Sequence, residues 1–364
     1  MASKLHDVST ATGMPVSAPK AQAPNAKSNK KSINLALQGG GAHGAFTWGV
    51  LDRLLEDGRV GLEGISGTSA GAMNAAVAAD GFLKGGREGA RQALDAFWRR
   101  ISEASSFSPL RPTLFDQLRD DWNMDQSPNY IFFDLVTRLL SPYELNPFNL
   151  NPLRDILTET IDFDALRGND QIQLFITATN VRSGKVRVFD TDEISVDVLL
   201  ASACLPLLFK AVEIDGEAYW DGGYMGNPAM FPLVYNCDSR DVVIVQVNPL
   251  ARLEVPVSAR DILNRINEIS FNSTLMREMR ALATVSKFLR DGALDEQRYK
   301  DIHIHVIEAE AEMRRLGTSS KMNADFAFLT YLRDLGREAA DRWLPAVWDD
   351  VGMRSSIDVF EKFL

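Results

Sequence analysis

A serine flanked by glycines, in Gly67-Thr68-Ser69-Ala70-Gly71, is the first place where residue type and spacing suggest covalent chemistry. A short apolar strand around Gly64-Ile65-Ser66 precedes it, and a small-residue helix, Ala70–Ala79, follows. In such a strand-to-helix elbow the glycines permit a sharp turn and close packing, so the serine hydroxyl projects at the helix N-terminus. Free N–H groups and the helix dipole there favour developing negative charge. The plainer reading is a glycine-rich turn with an N-capping serine.

Gly39-Gly40-Gly41-Ala42-His43-Gly44 lies between another strand and helix. Consecutive glycines leave backbone N–H groups unobstructed, and such a nest can hold a phosphate or a tetrahedral oxyanion. The same residues spell G-x-G-x-x-G through Gly39, Gly41 and Gly44, which raises a dinucleotide-binding alternative. That fingerprint wants an acidic residue at the end of the second strand. Here Glu56 and Asp57 fall in the helix, Glu63 precedes the strand, and the strand ends in the serine elbow. Asp221-Gly222-Gly223 follows the strand Ala218-Tyr219-Trp220 and puts a carboxylate in an open turn. By itself it is an ordinary turn signal.

A serine nucleophile needs a base, most often histidine. The histidines are His6, His43, His303 and His305. His6 is in an N-terminal tail, and His43 lies inside the glycine loop, where a structural or binding role suits it better. His303 and His305 alternate with Ile302, Ile304 and Val306, the pattern of any half-exposed strand. Asp221 is the better candidate base. An aspartate is weak in water, with a pKa of about 3.9, but in a water-poor pocket it could accept the serine proton. A Ser–His–Asp esterase using His303 or His305 is the alternative.

These groups need a scaffold. Ile33–Leu37 reads as a strand, Phe46–Leu55 as an amphipathic helix, and the serine strand and helix follow, an alternation that implies a parallel sheet with covering helices. Further strands are expected at Gln171–Thr179, Lys185–Phe189, Ala218–Trp220, Val242–Val247 and Ile302–Ile307, and helices at Val196–Ala203, from Ile262 to Leu289, and at Ala324–Leu335. Residues 105–153 interrupt the alternation, with Pro109, Pro112, Pro128, Pro142, Pro147 and Pro152 among aromatic residues. Proline breaks regular elements, so this segment reads as an irregular apolar insertion around one helix near Ile131–Leu140, serving as a lid or acyl-chain wall or simply as a packed loop. The divisions are a basic tail, 1–31, an α/β domain with a helical C-terminal part, 32–345, and a C-terminal extension, 346–364.

Composition limits the partners. The 364 residues carry 39 Lys+Arg against 49 Asp+Glu, a formal charge of −10. An acidic chain is a poor nucleic-acid binder, because phosphate contacts need clustered cations. Residues 1–31 run the other way, with Lys4, Lys20, Lys27, Lys30 and Lys31 against Asp7. The tail reads as disordered and solvated. A weak contact with an anionic membrane surface is a secondary reading. The pair Cys204 and Cys237 suggests a reducing compartment. No signal-peptide core or membrane span is visible, so the expected home is the cytoplasm, with peripheral contact at the inner membrane face as the further reading. Oligomeric state leaves no mark in the sequence.

Taken in order, these motifs resemble the patatin-like phospholipases. That family carries a G-G-G-x-R/K-G oxyanion loop, a G-x-S-x-G nucleophile elbow and a D-G-G/A motif with the aspartate of a Ser–Asp dyad. Gly39–Gly44, Gly67–Gly71 and Asp221–Gly223 match in that order, and Ser202-Ala203-Cys204-Leu205-Pro206 and Gly226-Asn227-Pro228 look similar to neighbouring stretches. The likeness spans about residues 32–250. It implies a three-layer α/β fold with a mostly parallel central sheet and helices on both faces. It also implies hydrolysis of lipid or fatty-acyl esters. In that mechanism Ser69 is the nucleophile, Asp221 the base, and the N–H groups of Gly39, Gly40 and Gly41 hold the oxyanion. His43 and Ala70 are substrate-side neighbours, and no metal or cofactor is needed. His43 departs from the family's basic position, which leaves the head-group preference open.

Overall fold

The computed structural model describes residues 30–105, 122–125 and 127–364. The tail through residue 29, with His6, lies outside these, as do residues 106–121 of the apolar insertion with Pro109 and Pro112.

The chain opens with β1 (Lys31–Leu37), α1 (Gly44–Asp57), β2 (Val60–Gly67) and α2 (Ala70–Ser105), the expected alternation. α2 runs well past the expected Ala79, with a break at Gly85–Gly86. Its buried face resumes beyond the break with Ala90, Leu94, Phe97 and Trp98, so burial carries the helix on. Then follow α3 (Pro128–Leu139), α4 (Pro152–Thr160), α5 (Phe163–Arg167), β3 (Gln173–Asn180), β4 (Val186–Asp190), α6 (Val196–Ser202), β5 (Val212–Ile214) and β6 (Glu217–Asp221). The last part holds α7 (Phe231–Asn236), β7 (Asp241–Gln246), α8 (Ala259–Arg290), β8 (His303–Glu308), α9 (Phe326–Val347) and α10 (Val359–Phe363).

The sheet runs β5-β6-β3-β2-β1-β7-β8, with β4 also on β3. β3, β2, β1, β7 and β8 pair in parallel, while β4, β5 and β6 form an antiparallel arm. Side chains alternate across each strand. Leu35 and Leu37 of β1, with Val243 and Val245 of β7, point into the core shared with α1, α2 and α9. Ala36, Val242 and Ile244 point the other way, towards Leu233 of α7, Leu275 and Met279 of α8 and Phe363 of α10. The result is three layers, helices on both faces of a mostly parallel sheet. α9 outruns its expected end at Leu335 because Ala339, Ala340, Trp343 and Leu344 continue its buried face. It crosses the boundary expected at residue 345, and Phe363 is 1% exposed, so residues 346–364 pack on the same body.

One register detail decides where the motifs meet. β4 covers one edge of β3 along Phe175–Thr179, so β2 and β6 share the other edge end to end. β2 arrives parallel and stops with Gly67 opposite Ile176; β6 arrives antiparallel and stops with Asp221 opposite Ala178. The serine elbow and the aspartate therefore leave the sheet beside one another.

Candidate active site

Ser69 sits at the turn from β2 into α2 with φ +54°, a left-handed backbone unusual for a residue with a side chain. Such strain persists where neighbours fix it. Thr68 donates from its N–H to Leu37 O (3.3 Å) and from its hydroxyl to Gly226 O (2.7 Å). Ser202 Oγ accepts the Ser69 N–H at 2.9 Å. At Gly71 a Cβ would lie 2.2 Å from Leu37 O, so only glycine lets α2 start this close to β1.

Asp221 is 1% exposed. Its N–H donates to Cys204 O (2.8 Å), and its Oδ1 accepts the Gly223 N–H (2.7 Å). The stretch Ser202–Cys204 thus holds the backbones of both Ser69 and Asp221. Burial pushes the Asp221 carboxyl up to about 7, while the Gly223 N–H, the Ser69 hydroxyl beside it and the charge of Lys321 pull it back down. A carboxylate poised near neutrality is a far better proton acceptor than an aspartate in water.

The glycine loop faces the same space. A Cβ on Gly39 would lie 2.8 Å from Ser69 Cβ, so the loop could not approach with any larger residue there. The Gly39 N–H is engaged by Asn227 Oδ1 at 2.7 Å. Gly39 therefore serves the close approach, and Gly40 and Gly41 line the cavity. Asn248 Nδ2 donates to Gly39 O (2.8 Å), and Gln38 Oε1 accepts the N–H groups of Val247 and Asn248 (3.0 Å each), tying the loop to the end of β7.

His43 is 2% exposed. Ser320 Oγ donates to Gly317 O (2.8 Å), so it accepts from His43 Nε2 (2.8 Å), and His43 Nδ1 has no partner. Burial first, then the charges of Lys321 and Arg252, hold the imidazole well below its usual pKa. His43 is a neutral pin between the loop and the turn Ser319–Met322. Ala70 lines the cavity beside Ser69.

The cavity has a volume of about 470 Å³ and opens beside Ser69, Asp221, Gly40 and Gly41. Its walls are mainly apolar, with Met73, Phe97, Trp98, Phe133 and Phe271 among them. That suits a small or medium apolar ligand, for which pockets run to roughly 300–1,000 Å³. Among the described residues, no cluster of His, Cys, Asp and Glu is placed to hold a metal ion.

His303 and His305 lie elsewhere. Asp241 Oδ1 joins His303 Nδ1 (3.2 Å) to His305 Nε2 (3.0 Å), and His305 Nδ1 meets Ser356 Oγ (2.9 Å). Asp241 begins β7 and pairs with His303 at the start of β8, whereas Ser69 follows the far end of β2. Neither histidine lines the cavity, so the arrangement gives a Ser–His–Asp reading no support. Sequence reasoning also missed a group that is there: Lys321, in the turn Ser319–Met322, lines the cavity with its Nζ 2.7 Å from Asn248 Oδ1. A lysine in a polar stretch carries no spacing signal that could have singled it out.

The sequence model of the patatin-like phospholipases matches residues 35–233. Among solved structures, the crystal structure of VipD from Legionella pneumophila is similar, at 15% identity over 85% of this chain and 67% of that one, with a TM-score of 0.34. No curated protein matches.

Proposed function

From the premise that the chain belongs to the patatin-like phospholipase family, whose chemistry is the hydrolysis of lipid esters, we propose that Ser69 and Asp221 form a catalytic dyad that cleaves (phospho)lipid acyl esters through an acyl-enzyme. The observation that carries this reading is a strained, half-buried serine beside a buried carboxylate in a mainly apolar cavity.

Asp221 takes the proton from Ser69 Oγ as the oxygen attacks the ester carbonyl. The negative charge moves from the carboxylate to the carbonyl oxygen, where the N–H groups of Gly40 and Gly41, with that of Ala70 at the start of α2, would receive it. The protonated Asp221 then gives its proton to the leaving alcohol as the C–O bond breaks. Water attacks the acyl-serine with Asp221 again accepting a proton; the bond to Ser69 Oγ then breaks, Asp221 returns the proton to that oxygen, and the fatty acid leaves. Each removal of a donor or of the base acts on the transition state and so on kcat.

The lipid would enter from a surface. α3 turns Tyr130, Phe133 and Thr137 to the cavity and leaves Phe132 and Leu139 69% and 72% exposed. No helix among the described residues is long and apolar enough to cross a membrane, so the proposed contact is peripheral.

The test is hydrolysis of p-nitrophenyl esters from acetate to palmitate by wild type, Ser69→Ala and Asp221→Asn. Loss of a nucleophile or its base costs on the order of 10³-fold or more, and both variants are expected to fall that far while remaining folded. Wild-type rates in either variant would sink the dyad, and an acetate optimum with no action on long chains would sink the lipid assignment.

A further inference from the structure

Lys321 is the one cationic side chain among the described residues that line the cavity. It comes from the turn after β8, beyond the region that matches the family model. Three contacts join that turn to the glycine loop. Lys321 O lies where a Cβ on Gly41 would be 2.4 Å away, so the loop rests on the lysine's own backbone. His43 donates to Ser320, the neighbour of Lys321. Lys321 Nζ donates to Asn248 Oδ1, and Asn248 Nδ2 holds Gly39 O. His43 is neutral and its free nitrogen has no partner, so the loop's own imidazole brings no charge to the cavity.

We propose that Lys321 is the positioning residue of the dyad: its ammonium faces the cavity that Ser69 and Asp221 share, and its backbone seats the Gly39–Gly41 loop, so that the site's positive charge comes from the C-terminal part of the chain. The inference rests on the Ser69–Asp221 reading. Its logic is the path of the charge. The reaction moves one negative charge from Asp221 to the carbonyl oxygen without leaving the cavity. A fixed cation facing that space offsets the cost of charge in an apolar pocket both before and after the transfer.

The surrounding groups are consistent with a cation at neutral pH. Burial pulls the Lys321 ammonium down to about 8, Glu268 and Asp221 push it back up, and Arg252 opposes it. Glu268 is itself tied to Arg252 and Arg265. Cys204 and Tyr224 also face Asp221, and burial keeps both protonated. Among these groups, Lys321 is the cation that draws the Asp221 carboxyl down.

The experiment is the pH profile of kcat/KM on a soluble ester for wild type, Lys321→Met, Lys321→Gln and Lys321→Arg, with folding checked by circular dichroism. A cation facing the same cavity favours the ionised form of a carboxyl. Without it, the acid limb is expected to move up by about one pH unit, which lowers kcat/KM at pH 6 by about tenfold. Arginine keeps the charge and should return the limb to its wild-type position. A limb unmoved in folded Lys321→Met or Lys321→Gln overturns the inference, as does a limb displaced equally in folded Lys321→Arg. If wild type hydrolyses no ester, the dyad itself fails; if wild type is active and the limb does not move, only the role of Lys321 fails.

Discussion

Gly41 answers two demands at once: φ is +58°, and a Cβ would lie 2.4 Å from Lys321 O. The first demand costs a side chain about 1–2 kcal/mol; the second moves the loop. Gly184, in the turn between β3 and β4, has φ +65° with nothing within 4 Å of a Cβ, so it shares the first demand only. Gly184→Ala is therefore expected to lower the melting temperature by about 2–4 °C and leave ester hydrolysis alone. Gly41→Ala should lose at least that much stability and also about 10²-fold or more in kcat, the cost of misplacing an oxyanion donor. Melting curves and initial rates of the two variants decide; equal rates would remove Gly41 from the proposed oxyanion site. The contrast also explains what a sequence discloses. Gly39, Gly41, Gly71 and Ser69 stand out because tight turns admit few residue types. Lys321, Asn248 and Ser320 do not, since polar residues in short turns follow no local pattern and only the fold packs them against the loop.

At the scale of elements, α3 is the clearest case of a helix with two audiences. Its inner side lines the cavity, and its outer side leaves Ile131, Phe132, Leu135 and Leu139 exposed in a chain of net charge −10. Adsorption through such a face is apolar, not electrostatic, so it should tolerate salt that screens exposed charges beyond about 10 Å. Phe132→Asp with Leu139→Asp is expected to reduce sedimentation with neutral phosphatidylcholine vesicles and to cut hydrolysis of vesicle-borne lipid about tenfold more than hydrolysis of a soluble short ester. Equal losses on both substrates would place α3 in the pocket wall alone. The helix itself was expected near Ile131–Leu140, and β1, α1, β2 and the start of α2 were legible from strand and helix patterns in the sequence. Of the antiparallel arm, β4 and β6 fall on the strands expected at Lys185–Phe189 and Ala218–Trp220, but β5, only Val212–Ile214, was not expected, and the pairing of Ala178 with Asp221 joins segments whose local patterns say nothing about each other. Strand partners are chosen by the packed whole, and here that choice is what brings Asp221 to Ser69.

For the whole molecule, the C-terminal segment is fastened along β7 and β8, and its clamp on Asp241 lies at the end of the sheet away from the proposed dyad. Asp241 Oδ1 accepts from His303, His305 and the Gly352 N–H (2.8 Å), and His305 reaches Ser356. Lys362 pairs with Glu308 (2.6 Å), Lys31 Nζ donates to Val351 O (2.8 Å), and Phe363 enters the second core. Burial by itself would raise the Asp241 carboxyl, but the two histidines and the Gly352 N–H outweigh it and hold it below the usual carboxylate range. A carboxyl that titrates lower folded than unfolded adds stability that is complete above its unfolded value of about 3.9 and is lost as pH falls below it. Asp241→Asn should thus cost about 2–4 kcal/mol at pH 7, the scale of losing hydrogen bonds to a buried charge, and the gap between variant and wild type should narrow below about pH 4. Trypsin should also cut faster at the exposed Arg354 in the variant, because the segment that carries it has lost its anchor. Activity on a soluble ester at 25 °C should stay within about twofold, since local opening at one end of a sheet need not reach the other. A gap that stays constant from pH 3 to pH 8 would mean that Asp241 acts by shape and not by charge, and a parallel fall in activity would tie the clamp to the seating of the turn that carries Lys321.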